Sequence, residues 1–345
     1  LNGDKKLLYD EDDISSLFLK HLEQLRKLFY NNIEEFELGR KPKDLYFVLA
    51  NMAIASPAVC INRLYRLYSA GKNYESFLPT QVAKRFIDMM NKPDSTAIIE
   101  LVCGKNKEDV HWKNILTYCK QGNIQSMFDE YAHLLSNGYE GDNIISKLHK
   151  EIMSNMNLRT TPYEIDTWQN FNKTINEQKI IPTRIRTHFA VAFTKGEGSD
   201  TDTNRKKLLR SAFNSPFRPF VLSSTSIGQE GLDFHNYCRK IVHWNLPSNP
   251  IDLEQREGRI NRFECLAIRQ NVAKRYGNII FKSNVWDELF REAKLRERSE
   301  SSSDLIPYWG LKETEDMIRI ERIVPMYPLS KDQEAYERLI KILSL

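Results

Sequence analysis

The sequence predicts an α/β lobe with a parallel sheet, preceded by a large, mainly helical region and followed by a helical tail. Apolar residues recur at three- and four-residue steps through the first 150 or so positions, the period of helices with one buried face. Near Leu158 that period gives way to short runs of β-branched and aromatic residues separated by loops, with helical patterns between them. A serine-rich stretch, Ser299 to Ser303, then reads as a flexible joint before the last segment. The boundaries that follow are 1–155 for the helical accessory region, 156–285 for the α/β lobe and 286–345 for the tail.

In the first region Ile14, Leu17, Phe18, Leu22, Leu25, Leu28 and Phe29 mark one amphipathic helix between Asp13 and Phe36. A second runs from about Leu45 to Tyr68, with Arg63 and Arg66 read as a solvated face. Past the Gly and Pro residues between Gly71 and Pro79, helical patterns resume and continue to about Met153. Expected strands are Tyr163 to Ile165, His188 to Phe193, Pro219 to Ser224, Lys240 to Trp244 and Asn278 to Phe281. Helices are expected between them at Thr167 to Glu177, Asn204 to Phe213 and Leu253 to Arg262, the alternation a parallel sheet requires. A charged helix, Trp286 to Arg298, opens the tail, which carries Pro307, Pro325, Pro328 and a last helix near Glu334 to Leu343.

Apolar residues make up 41% and charged residues 28% of the 345, ordinary globular proportions with room for a large core. Lys and Arg exceed Asp and Glu by 50 to 46. That bias is too weak to indicate a nucleic-acid binder by itself, so local charge must carry any such argument. The five cysteines are scattered and form no C-x-x-C pair, which points away from a zinc site or a disulfide framework and towards a reducing, cytoplasmic setting. No uninterrupted apolar run approaches the roughly 20 residues of a membrane span, and the first residues do not open a signal peptide, so no membrane partner is expected. Leu1 in place of a start methionine suggests a fragment or a processed chain.

Two stretches carry the chemistry. The first, SSTSIGQEGLDFH at 223–235, leaves an apolar run and meets small hydroxyl residues before Gly228 and Gly231. At the carboxyl end of a parallel strand such a loop lies where ligands bind in open α/β sheets, and its glycines let the backbone approach a ligand closely. Asp233, just beyond, could accept hydrogen bonds from a ribose. The second, QREGRINR at 255–262, spaces Arg256, Arg259 and Arg262 three apart, so that on a continuous helix they would share one face. Three guanidiniums together need a counter-charge. Their planar forks suit phosphate oxygens, and in phosphoryl transfer such groups stabilise charge on the transferred group. Gly258 inside a helix costs about 1 kcal/mol relative to Ala, which suggests that something must come close there.

In order and spacing these stretches resemble motifs V and VI of superfamily-2 helicases, and the second fits the pattern Q/H-R-x-G-R-x-x-R. The likeness is closest to the Swi/Snf-type branch and to bacterial RNA-polymerase-recycling and defence-associated helicases, through NLPSNP at 245–250 and the helix before Pro216. It covers about Leu158 to Asn284 and implies the carboxy-terminal RecA-like lobe of an ATP-dependent helicase or translocase. By that resemblance Arg259 and Arg262 would contact the γ-phosphate as catalytic fingers, with Gly231, Asp233, Gln255 and Arg256 in the nucleotide site. Thr225 and Ser226 would lie near the nucleic-acid backbone, and Arg205, Lys206, Lys207, Arg210, Arg184 and Arg186 are further candidates for phosphate contacts.

Such a lobe needs ATP and Mg2+, with the magnesium ligands on a first RecA lobe whose phosphate loop does not occur in this sequence. Gly71-Lys72 and Gly104-Lys105 lack both the earlier glycine and the following Ser or Thr. DEYAH, 129–133, resembles an acidic helicase box but lies within a helical pattern and is read as a helix face. The chain by itself is therefore expected to hydrolyse ATP negligibly. Expected partners are nucleic acid, with DNA favoured over RNA, the first lobe, and a protein docked on the helical region. Two alternatives stay open. The arginines could form a structural ladder paired with Glu254, Glu257 or Glu264, and the chain could be an ATP-independent binding or assembly module built on a helicase lobe. No metal site and no Ser-His-Asp order emerges; His188 and His243 read as core histidines and His235 as a candidate ligand contact.

Overall fold

The computed structural model describes residues 23, 26–27, 30, 41–69, 71–75, 77–103, 110–137, 143–156, 161–165, 167–176, 183–187, 200–217, 219–223, 233–299 and 303–344. The chain divides into two compact units, one formed by Leu1–Phe128 with Gly138–His149 and the other by Asp129–Asn137 with Lys150–Leu345.

The first unit is helical. Its elements are α1 (Leu45–Ala55), α2 (Pro57–Tyr68), α3 (Leu78–Met90), α4 (Pro93–Cys103) and α5 (His111–Gln121), with the start of α6 (Ile124–Ser136) and of α7 (Ile144–Met156). Pro57 opens α2, and the residue before a proline is pushed out of the helical region, so Ser56 is extended at φ −63°, ψ 130° and separates α1 from α2. Arg63, read as solvated, folds back to donate to the Ala53 and Ile54 carbonyls at the open end of α1. Cys60, Ile61, Leu64 and Tyr65 of α2 are fully buried and share the core with Val82 and Phe86 of α3 and with Phe128. The rings of Phe86 and Phe128 lie 6.0 Å apart.

Leu45–Tyr68 is long and apolar enough, by length and composition, to cross a membrane. Counting uninterrupted apolar runs misses it, because polar but uncharged Asn51, Ser56 and Asn62 break the run. The extended Ser56 divides this stretch, and the inner face of α2 belongs to the core.

The second unit holds the strands. β1 (Thr161–Ile165) pairs antiparallel with β2 (Thr183–Thr187), Tyr163 opposite Ile185. Between them lies α8 (Trp168–Ile175), capped by the Thr167 hydroxyl, which accepts from the Asn170 amide. α9 (Asp200–Phe213) follows, then β3 (Lys240–Val242), α10 (Pro250–Glu257), α11 (Leu266–Tyr276), α12 (Val285–Glu297), β4 (Glu321–Ile323) and α13 (Asp332–Leu343). β3 and β4 are parallel, with Ile241 opposite Arg322. A core of Cys265, Ile268, Val272, Trp286, Leu289 and Phe290 forms under α11 and α12, and a smaller one of Phe213, Phe234 and Ile260 lies beside it in the sequence of elements.

Several expectations are corrected. Residues 219–223 form no strand: Phe220 and Val221 are exposed, and among the described residues nothing pairs with them. Asn278 to Phe281 is a turn region after Gly277, with Ile280 exposed, and the strand that joins β3 comes from the tail instead. β1 and β2 run antiparallel, because the segment holding the short α8 returns the chain in the opposite direction. The tail is therefore not purely helical, and the helix expected to reach Arg262 stops at Glu257. The strand expected at His188 to Phe193 and most of the helix at Asp13 to Phe36 lie outside the described residues.

Leu64 has no exposed surface, so Leu64→Ala should lower unfolding stability by about 2–5 kcal/mol through lost burial and the cavity left behind. Urea denaturation followed by circular dichroism checks this; a change under about 0.5 kcal/mol would mean the site is not tightly packed.

Candidate functional site

α10 starts cleanly and ends abruptly, and that ending places the arginines. Asn249 caps it by accepting from the Ile251 amide at 3.0 Å, Pro250 fills the first turn and Leu253 is fully buried. Gly258 closes the helix by donating its amide to the Glu254 carbonyl at 2.7 Å. A Cβ at this glycine would stand 3.1 Å from that carbonyl oxygen, so the residue permits the tight exit and does not sit within the helix. The Glu257 carbonyl then accepts from the Ile260 and Asn261 amides at 3.0 and 3.1 Å. Arg259 and Arg262 consequently project from a turn beyond the helix, while Arg256 stays on it and donates to the Asn245 carbonyl at 2.9 Å. Gln255 is exposed on the helix surface.

The loop that carries Asp233 is fastened to this turn. The Phe234 amide donates to the Arg259 carbonyl at 2.8 Å, and the Asn214 side chain, just after α9, donates to the Asp233 carbonyl at 2.7 Å. Each charged residue precedes an apolar anchor, Asp233 before Phe234 and Arg259 before Ile260, and both anchors pack with Phe213. The rings of Phe213 and Phe234 meet edge to face at 5.5 Å. The backbone thus turns the apolar residues inward and leaves the polar ones at the rim.

At that rim Arg262 Nε donates to Asp233 Oδ1 at 3.2 Å, and Arg210 Nη2 of α9 lies 4.0 Å from Asp233 Oδ2. The Arg262 and Asp233 side chains are 40% and 35% exposed. An ion pair this open contributes only about 0–1 kcal/mol, so a ligand could exchange it at little cost. Arg259 is half-buried, and its guanidinium has no carboxylate partner among the described residues. His235 follows on the same loop. Burial, with the Arg269, Arg262 and Arg210 charges, pushes its pKa down against the opposing pull of Asp233.

Two of the three carboxylates that a structural ladder could use, Glu257 and Glu264, are engaged elsewhere, and Glu254 is exposed. Glu257 receives Nε2 of the buried His243 at 3.1 Å and both branches of the Arg322 guanidinium, which reaches over from β4. Glu264, held at φ +49°, accepts from Asn137 at 3.0 Å and lies 3.3 Å from His133 Nε2. DEYAH is helical within α6, and its Glu130 binds the fully buried Arg269 at 2.7 Å, so these groups are internal partners.

Residues 167–264 match the helicase conserved C-terminal domain. That match supports a superfamily-2 helicase C-terminal domain over this stretch and, with it, a RecA-like fold, and proteins of this kind generally interact with nucleic acid. No curated protein and no solved structure matches the chain.

Of the residues singled out in the sequence, Asp233, Arg259 and Arg262 are brought together, with Arg256 and Gln255 on the helix that leads to them. Thr225, Ser226 and Gly231 lie outside the described residues, as do the side chains of Arg205 and Lys206 on α9. Arg210, grouped with them as a phosphate-contact candidate, lies 4.0 Å from Asp233 and is 43% exposed. Sequence reasoning missed Arg322. Its only signal was a β-type pattern around Ile320 to Val324 within a segment read as helical tail.

Burial raises the Glu257 pKa, but the hydrogen bonds from His243 and Arg322 and the Arg322 charge outweigh it and hold the carboxyl at about 2, below its ordinary 4.5. A depressed acid contributes stability in full above its unfolded value and loses it as pH falls through its folded one. The stability difference between wild type and Glu257→Gln should therefore be largest above pH 4.5 and shrink towards pH 2. Urea midpoints across that range test it, and a gap independent of pH would contradict the assignment.

Proposed function

We propose that this chain is the second motor lobe of an ATP-driven nucleic-acid translocase, working with a first RecA-like lobe that supplies the phosphate loop and the magnesium ligands. The observation that carries the reading is the junction of Asp233 with the turn holding Arg259 and Arg262, within the stretch that matches helicase C-terminal domains. Two guanidiniums, from Arg210 and Arg262, face the Asp233 carboxylate at an open rim, and Arg259 on the adjoining turn has no carboxylate partner among the described residues. That excess of fixed positive charge suits a polyphosphate, whose oxygens accept forked hydrogen bonds from arginine.

In the proposed cycle the triphosphate is anchored on the first lobe, and closure brings Arg259 and Arg262 against its γ-phosphate. Arg262 exchanges Asp233 for phosphate oxygens, which frees the Asp233 carboxylate to accept from ribose hydroxyls. The two arginines then offset charge on the transferred group, and hydrolysis reopens the lobes. Nucleic acid, DNA in preference to RNA, bound across both lobes moves with each closure. The Swi/Snf-type likeness favours translocation without strand separation.

A second reading, an ATP-independent assembly module, draws on the outer face of α1. Tyr46, Phe47, Leu49, Met52 and Ile54 are exposed there, with Lys41 and Lys120 over the Tyr46 and Phe47 rings at 3.9 and 5.2 Å. The motor reading is preferred because assembly gives no role to the open arginines.

In the complete gene product, Arg259→Ala should lower nucleic-acid-stimulated ATP turnover by roughly 10³-fold, and Lys at this position should restore little because it lacks the planar fork. Residues 1–345 alone should turn over ATP negligibly. Full stimulated turnover by these residues alone, lost in Arg259→Ala, would show that no first lobe is needed; unchanged turnover in the complete Arg259→Ala protein would end the finger assignment. Nucleic-acid affinity should fall steeply with salt, and triplex displacement without strand displacement would identify translocation alone.

A further inference from the structure

Ile320 of the tail packs against the cluster that holds Ile260, and Arg322 reaches the residue at the start of the arginine turn. β4 pairs in parallel with β3, the His243 amide donates to the Ile323 carbonyl at 2.9 Å, and the Glu321 amide donates to the Arg239 carbonyl at 2.8 Å. Arg239 and Lys240 both form ion pairs with Glu321, securing the same edge. This places Arg322 beside α10, where its guanidinium grips both Glu257 oxygens, with Nη2 to Oε2 at 2.7 Å, and Nη1 donates to the Tyr336 hydroxyl of α13 at 3.3 Å. α13 packs on α10 from the same side. Glu257 is thus held at both ends. Its carboxylate is fixed by Arg322 and His243, and its carbonyl accepts the Ile260 and Asn261 amides of the turn that carries Arg259 and Arg262.

We infer that Arg322 is a positioning residue for the arginine turn: through Glu257 it sets where the Arg259 and Arg262 guanidiniums stand. The inference rests on the motor reading for its catalytic consequence, though not for the brace itself. A carboxylate gripped by a planar fork has little rotational freedom, and the two amides bound to the same residue inherit that order. Displacement of a catalytic group by about 1 Å can cost up to about 100-fold in rate. Without Arg322, the Glu257 carboxylate keeps only His243 among the described residues, and the exit from α10 is free to shift. The tail segment is then a working part of the site, and a ligand or partner that displaced β4 would reach the fingers without touching the nucleotide.

The test compares Arg322→Ala, Arg322→Lys and, as an exposed tail control, Arg319→Ala in the complete gene product, by steady-state ATP turnover and by hydrogen exchange at the amides of residues 259–261. Arg322→Ala should lower kcat by about 10-fold or more, with KM within about twofold, and should speed exchange at these amides. Arg322→Lys should recover part of both, and Arg319→Ala should match wild type. Wild-type kcat in Arg322→Ala, or reduced kcat with wild-type protection at 259–261, overturns the inference. Should wild type show no ATP turnover, or Arg259→Ala have no effect, the motor reading fails by itself. Exchange then decides the brace, with unchanged protection refuting it. If Arg322→Ala does not fold, Arg322→Gln is read by the same criteria.

Discussion

The hydrogen bond from the Phe234 amide to the Arg259 carbonyl joins two stretches that are separated by β3 and α10 in the chain. It is a backbone bond, so it fixes position without specifying side chains; one partner, Phe234, follows the charged Asp233, and the other is Arg259 itself. Phe234 and Ile260 bury beside Phe213 beneath it, shielding the bond from competition by water. Loosening that seam would separate Asp233 from Arg262. The apolar anchors therefore serve the polar residues next to them.

Beneath the rim lies an unusual amount of buried charge. Arg269 is fully buried, donating to Glu130 at 2.7 Å and to the Glu264 carbonyl at 2.6 Å, and bonding the Asn236 carbonyl, with the Tyr237 ring 5.5 Å away. Close by, the His133 ring lies 6.0 Å from each of Trp286 and Phe290, whose own rings are 6.3 Å apart, and points Nε2 at Glu264. Burying such groups gives little net stability, because desolvation offsets most of the attraction. Their bonds do fix direction: Arg269 ties the loop after Asp233, through Asn236, to the residue that follows the arginine turn. The network thereby holds the same two stretches together from below.

The contrast between the arginines is physical. Arg269 has a carboxylate and carbonyls at close range, Arg322 a carboxylate and a hydroxyl, and Arg256 a carbonyl, whereas Arg259 has no such partner among the described residues and Arg262 has a half-exposed one. Glu257 and Glu264, the carboxylates nearest in sequence, are occupied by Arg322, His243, Asn137 and His133. With those acids engaged elsewhere, Arg259 is left without a carboxylate partner among the described residues, an arrangement that a self-neutralising arginine ladder would not produce.

Local chemistry made much of this legible from sequence. The helix start at Thr167 and the helical register of DEYAH follow from near neighbours, because propensity and capping act over a few residues. Tertiary packing decided the rest. That α10 stops at Glu257, that Arg210 lies 4.0 Å from Asp233, that a strand from the tail completes the edge of β3, and that Arg322 grips Glu257 across 65 positions each depend on partners remote in the chain. A one-dimensional pattern carries no signal for such pairings, since the free energy that selects them exists only once both surfaces have been brought together.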